Sequence, residues 1–228
     1  MGELVKIRGQ GHWDFVCTPD HPFLTHDNQW LPAKEMQGKR WCEVREIPTT
    51  EQIKPLNGYD VGSPRFVRIL GSNITFGGIA DDLAEWFNEE FGKEEKRIPM
   101  WLFSMPDEYI RKFLEGCFDC LNTIFFSSRS LAVGVKILLT RIGISATVLQ
   151  NKKSYGVIKN NSERIKYGEN HAFGIVRSVE QARAGRVYNL SVEEDETYTA
   201  DGIVVHNCQP FSLASASRSR NDHGIYGI

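Results

Sequence analysis

No stretch of this sequence approaches the roughly 20 consecutive apolar residues that a helix needs to cross a bilayer, which argues against a membrane-spanning helix and for a protein with no membrane partner. The opening MGELVKIRGQ lacks the apolar centre of a secretory signal, so the expected compartment is the cytoplasm. Excess charge of either sign is missing too: 27 Lys and Arg face 29 Asp and Glu, a formal net charge of −2. That balance does not advertise a polyanion as the main partner. The five cysteines, Cys17, Cys42, Cys117, Cys120 and Cys208, are odd in number and widely scattered, unlike a disulfide framework. They point to reduced thiols. Internal repeats and low-complexity linkers are absent as well. What is present is a hydrophobic content of 41% over 228 residues, enough for one large or two small cores.

The hydrophobic pattern changes character twice. Residues 4–48 carry β-type segments such as LVKIR, WDFVC and CEVREI, punctuated by TPDHP and DNQWLP. From about residue 79 the period becomes helical. Ile79, Leu83, Phe87 and Phe91 form one stripe that ends at Gly92. A second stripe, Ile110, Phe113, Leu114, Cys117, Phe118 and Leu121, follows the start signal SMPDE, in which Ser104 and Pro106 stand where a helix begins. A third runs from Leu131 through Val135, Leu138, Leu139 and Ile142 to Gly143. TIFFSS, SATVLQ and YGVIK read as strands among them, and after about residue 171 the β pattern returns in FGIVRSV, RVYNLSV, TYTA and GIVV. A β layout thus brackets an α+β insert.

The segment VVHNCQPFS (204–212) sets His206, Asn207 and Cys208 side by side. A Cys thiolate can attack a thioester and receive an acyl chain. The side-chain amide of Asn207 can attack its own backbone carbonyl, closing a five-membered succinimide and breaking the bond to Cys208. Nucleophile and target lie in one residue, so little translational entropy opposes that step. His206 is placed to donate a hydrogen bond to the carbonyl or to protonate the departing nitrogen. The plain alternative is an accidental tripeptide at a strand end.

RVYNLSVEEDETYTADGIVVHNC (186–208) resembles the C-terminal splicing blocks of an intein, and VCTPDHPFLT (16–25) resembles the block that carries Thr-x-x-His. The resemblance implies a mainly β splicing domain of the Hint (horseshoe) type, interrupted by an α+β insert that resembles a LAGLIDADG homing endonuclease. It divides the chain into residues 1–60 and 171–207 as splicing domain, 61–170 as insert and 208–228 as the start of the C-extein. By motif position Thr18 and His21 polarise and protonate the amide at the upstream junction; read alone, His21 is a turn residue capped by its neighbours. Two positions depart from the commoner pattern: Asn189 stands where Asp is usual, and Glu196 where a His often precedes the TY of DETYTADG. Inteins begin with their own nucleophile, which is not found before the Thr-x-x-His block here. The resemblance therefore implies the C-terminal part of a split intein, whose partner is a separate N-terminal fragment with its N-extein and whose chemistry needs no cofactor and no metal. The alternative is a truncated cis-splicing intein.

Within the insert, FLEGCFDCLNT (113–123) resembles the helix whose Gly permits close packing of two such helices and whose final acid holds a metal in the endonuclease family. Gly116 and Asp119 match, but the metal-holding acid falls on Leu121, and only one such helix is evident in the pattern. A remnant without cleavage activity is expected, with at most weak DNA affinity through the basic stretch 152–166; a DNA-binding endonuclease is the competing function class. Cys117 and Cys120 form a C-x-x-C pair with no second ligand pair for zinc, and Cys117 sits on the apolar stripe, so a core role is favoured over redox chemistry. Finally, CQPFS at the start of 208–228 resembles the catalytic motif of DNA cytosine-5 methyltransferases, which would make residues 208–228 part of such a host, with Cys208 the thiol that attacks the flipped base.

Overall fold

A computed structural model describes residues 3–50, 55–160, 166–167, 171–183, 185 and 197–206. In chain order the strands are β1 (Leu4–Gly9), β2 (Asp14–Cys17), β3 (Pro22–Leu24), β4 (Trp30–Pro32) and β5 (Arg40–Val44), with a 3-10 turn at Ala33–Glu35. The helical stretch holds α1 (Pro64–Phe76), α2 (Asp81–Phe91), α3 (Met100–Phe103), α4 (Asp107–Phe118) and α5 (Arg129–Arg141), with β6 (Thr123–Phe126) before α5. Then follow β7 (Ala146–Gln150), β8 (Tyr155–Lys159), the two-residue β9 (Lys166–Tyr167), β10 (His171–Ala182), β11 (Thr197–Ala200) and β12 (Ile203–His206).

The chain forms two compact units. The first comprises the described residues of Met1–Gln10, Asp14–Glu43 and Phe173–Ile228; the second comprises those of Gly11–Trp13 and Val44–Ala172. Against the expectation of a mainly β splicing domain interrupted by an α+β insert, the described residues taken together are mixed α/β rather than mainly β, with strands and helices each about a third, antiparallel sheets and no closed barrel among them. The reason is the weight of four helices of 11 to 13 residues in the second unit.

In the first unit the strand order is β2-β1-β10-β5-β12-β3-β4, and β11 pairs with β12. Strands far apart in sequence become neighbours in this order, because β10 and β12 insert among the first five. Alternation selects the inner face. In β12, Ile203 and Val205 are fully buried while Val204 and His206 are half-buried on the other side. Ile7, Cys17, Phe23, Ala33, Met36, Trp41 and Val176 complete that core, with Phe23 stacked on Trp41 at 6.3 Å. Gly174 on β10 is required by close approach, since a Cβ there would collide with the Trp41 indole and meet the Glu43 carboxylate. The Trp41 indole N–H donates to Glu43 Oε1 at 3.2 Å, which gives a buried carboxylate a partner.

In the second unit the helices predicted over 79–92, 104–121 and 131–143 are present as α2, α4 and α5. Helix α1 escaped the pattern. Its start is nevertheless marked by Ser63, whose hydroxyl accepts the Phe66 N–H at 3.4 Å, by Pro64 at the first helical position and, at its end, by Gly77 in the left-handed region. Helices α1 and α4 meet backbone to backbone: a Cβ at Gly71 would strike the Phe113 carbonyl, and one at Gly116 the Arg68 carbonyl. Helix α5 is buried along Leu131–Arg141 and packs beside the sheet β6-β8-β7. Its Arg141 guanidinium donates to the Phe103 carbonyl and to Thr49 Oγ1 and lies 3.6 Å from Asp107. These partners compensate the cost of burying the charge.

Candidate functional site

Residues 18–21 and 203–206 converge in the first unit. Asp201 and Gly202, both at positive φ (52° and 82°), form the two-residue loop between β11 and β12 and set the register Ala200↔Ile203 through Thr197↔His206. That register turns Ile203 and Val205 inward. Strand β12 then pairs with β5 at Ile203↔Glu43 and with β3 at Val205↔Phe23. Because β12 is antiparallel to β3, its C-terminal end runs toward the N-terminal end of β3, where the Thr18–His21 turn lies.

The turn itself is tightly held. The His21 N–H donates to the Thr18 carbonyl at 3.1 Å, the Ala33 N–H to the His21 carbonyl at 2.8 Å, and the Lys34 N–H to the Pro19 carbonyl at 2.9 Å. Lys34 Nζ also reaches Asp20 Oδ1 at 2.6 Å. The His21 side chain is buried among aromatics, 5.5 Å from Phe23, 6.1 Å from Phe15 and 6.5 Å from Tyr198, centroid to centroid. Burial pushes its pKa down to about 4, because the apolar surroundings disfavour the charged ring. At neutral pH His21 is therefore a neutral imidazole, with one nitrogen to donate and one to accept a proton. It would not act there as a preformed imidazolium.

His206 lies on the opposite face of β12. Its ring meets the Trp30 ring edge to face, with centroids 5.0 Å apart and planes at 73°. Trp30 is presented by the hairpin from β3 to β4. In that loop the Thr25 hydroxyl donates to Asp27 Oδ1 at 2.5 Å and accepts the Gln29 N–H at 3.2 Å, while Asn28 takes φ 62°. The Thr25 hydrogen bond, helped by backbone donors and nearby positive charge, holds the Asp27 carboxyl below its usual range. Two imidazoles thus sit at one end of the sheet, on either face of the strand that ends at His206. Such a pair can assist proton movement both onto and off groups placed at that end. Asn189, Glu196, Asn207 and Cys208 lie outside the described residues.

The endonuclease-like positions behave differently. Gly116 makes the close approach that the motif requires. Asp119, at the C-cap of α4 with φ 46°, forms an exposed ion pair with Arg68 of α1 at 3.5 Å. Leu121 is exposed. Helix α1 makes the matching approach through Gly71, and Phe76 follows Gly71 at the same five-residue interval at which Leu121 follows Gly116. Gly71 followed by Gly77 and Gly78 was the available signal for this helix. Phe76 and Leu121 are both hydrocarbon, which offers no lone pair to a metal ion. No group of three or more His, Cys, Asp or Glu able to hold a metal occurs among the described residues. Cys117 is fully buried and its thiol is pushed far up by desolvation, consistent with a packing role, whereas Cys120 is exposed. Among the described residues no helix is long and apolar enough to cross a membrane.

No family model matches the chain. It is similar to a DNA polymerase of Pyrococcus horikoshii, at 24% identity over 208 residues, covering 68% of this chain and 17% of the polymerase. It is similar to transcription initiation factor IIB of Methanocaldococcus jannaschii, at 28% over 130 residues, covering 50% and 19%. A probable translation initiation factor IF-2 of Pyrococcus abyssi matches at 22% over 207 residues, covering 84% and 19%. The chain spans less than a fifth of the length of the curated relatives it matches.

Proposed function

We propose that the chain is the C-terminal part of an intein. It carries out transesterification onto Cys208, cyclisation of Asn207 and ligation of the flanking exteins, together with an upstream nucleophile from the intein's N-terminal block. The observation that carries this reading is the register that runs β12 toward the Thr18–His21 turn, so that the residue types of two distant motifs share one sheet end. The similarity to a polymerase, a transcription factor and a translation factor supports it from another side. The activities these three proteins are named for have no chemistry in common, and each protein is matched over a small part of its length. A segment that removes itself from its host fits such a distribution better than any one of the three activities does.

In the C-terminal step the Asn207 amide nitrogen bonds to its own carbonyl carbon and loses a proton. The bond to the Cys208 nitrogen breaks, and that nitrogen leaves with a proton. His206, directly before Asn207, is the donor to the carbonyl or the leaving nitrogen. His21, neutral at pH 7, accepts or donates one proton at the upstream amide, with Thr18 polarising it. We read the second unit as an endonuclease-like remnant rather than a nuclease, a reading supported by the glycine contacts between α1 and α4 and by hydrocarbon at positions 76 and 121. Residues 208–228 remain read as extein with a methyltransferase-like motif.

Mass spectrometry tests this reading. Incubated with candidate N-terminal fragments in chelator, the chain should yield a ligated extein and a succinimide-terminated intein. Asn207→Ala should yield neither and should accumulate a branched species. Normal ligated product from Asn207→Ala overturns the assignment.

A further inference from the structure

The edge-to-face contact between Trp30 and His206 joins a half-buried imidazole on β12 to an indole on β4, across the intervening strand β3. The indole is 39% exposed and lies against the ring that precedes Asn207. The approach is set by the backbone. The register Leu24↔Trp30 and Pro22↔Pro32 puts Trp30 on the face of the sheet away from Phe23, and the buried Val205 turns His206 to that same face. The hairpin loop is braced by Thr25, which is almost wholly buried and takes its hydrogen bonds within the loop. A rigid loop therefore delivers the indole to a fixed place.

A proton donor at a strand end needs its ring orientation fixed, because a misaligned donor loses most of its effect on a breaking bond. Imidazole has two rotatable bonds and would otherwise lose entropy on aligning. An edge-to-face aromatic partner restricts the ring. We infer that Trp30 is a positioning residue for His206, acting through the imidazole on the cyclisation of Asn207 without touching the reacting atoms. This rests on the splicing reading of His206 and Asn207.

The test is a double-mutant cycle on the release of residues 208–228 from the purified chain, followed by mass spectrometry, with the His206 imidazole protons observed by NMR in parallel. Trp30→Leu should slow release about tenfold, as expected when an acid–base group is retained but misaligned. Trp30→Phe should restore most of the rate, because a ring is what the position requires. In a His206→Ala background, Trp30→Leu should have almost no further effect. An equal slowing by Trp30→Leu in both backgrounds overturns the inference, since a merely structural role adds wherever it is placed. The imidazole protons should show a ring-current shift that Trp30→Leu abolishes and Trp30→Phe partly retains; an unchanged spectrum in Trp30→Leu also overturns it. If the unmodified chain and its mixtures with N-terminal fragments release nothing, the splicing reading fails, and the NMR shifts still decide whether Trp30 holds His206.

Discussion

The two units differ in what they bury. In the sheet unit the core is small and contains His21, Thr25 and Glu43 beside Phe23 and Trp41. In the helical unit it is much larger, and two of its buried polar groups tie elements together: Ser128 caps α5 and donates to the Lys96 carbonyl, and Arg141 clamps the Phe103 carbonyl and Thr49. Burying an uncharged imidazole in an aromatic nest gains less than burying another leucine, so its presence in the sheet unit calls for a reason other than stability. The helical unit shows the reverse. The scaffold glycines Gly71 and Gly116 are in place while Phe76 and Leu121, at the same interval after them, are apolar and exposed. On the proposed reading, that unit keeps the packing without the groups that cleavage would require.

The largest effect that would sharpen this contrast is chemical. Asn207→Ala should reduce release of residues 208–228 below detection, because no other group on that residue can form the succinimide; release at the original rate would place the chemistry elsewhere. Next comes packing. Gly116→Val should destabilise the α1–α4 pair by about 3–5 kcal/mol, since its Cβ would meet the backbone carbonyl of Arg68, which cannot move without separating the helices. Hydrogen exchange should show the loss in α1 and α4. Continued release of 208–228 in the same sample would set the two regions apart, and simultaneous loss of both would erase the distinction drawn here.

An effect of similar order belongs to His21. Its folded pKa, about 4, lies below the ordinary value of 6.5, so between those values the unfolded chain binds a proton that the folded chain refuses. Stability linked to this group is complete above about pH 6.5 and declines as pH falls toward 4, by roughly 3 kcal/mol in all. Below that it contributes no further slope. Denaturant titrations across this range, compared with His21→Gln, should isolate the term; identical pH profiles for the two proteins would show that the ring is not held neutral by burial. Gly174→Ala should cost about 1–3 kcal/mol through displacement of the Trp41 indole, and a red-shifted tryptophan emission would report it.

How much of this was legible in sequence follows the physics of each signal. Helices α2, α4 and α5 were readable because their buried stripes recur every three to four residues, and TYTA and GIVV were readable as strands, though not the Asp201–Gly202 turn that joins them. Helix α1 was missed because the face it buries is made of Val67, Leu70 and a glycine, and a glycine in a helix reads as a weakness until the opposing carbonyl is seen. Thr18, His21 and His206 could be singled out by type and order, but their meeting could not. It depends on β12 lying between β3 and β5, a pairing across about 160 to 180 residues with no local signature. The neutral state of His21 was likewise invisible. It is set by Phe15, Phe23 and Tyr198 together, and Tyr198 comes from the far end of the chain.

The smallest expected effect bears most directly on the remnant reading. Leu121 is 46% exposed, so Leu121→Asp removes little buried apolar area and should change stability by no more than about 0.5–1 kcal/mol. If the helical unit were a nuclease lacking one ligand, this substitution would restore the missing acid on α4 and Mg²⁺-dependent nicking of supercoiled DNA should appear. We expect none, because Phe76 still fills the matching place on α1 and one carboxylate cannot replace the pair. Phe76→Asp combined with Leu121→Asp is the stricter form of the test. Nicking by the double variant alone would mean that the scaffold kept its site and lost only two side chains, whereas nicking by the unmodified chain would show that the contrast between the two units had been drawn in the wrong place.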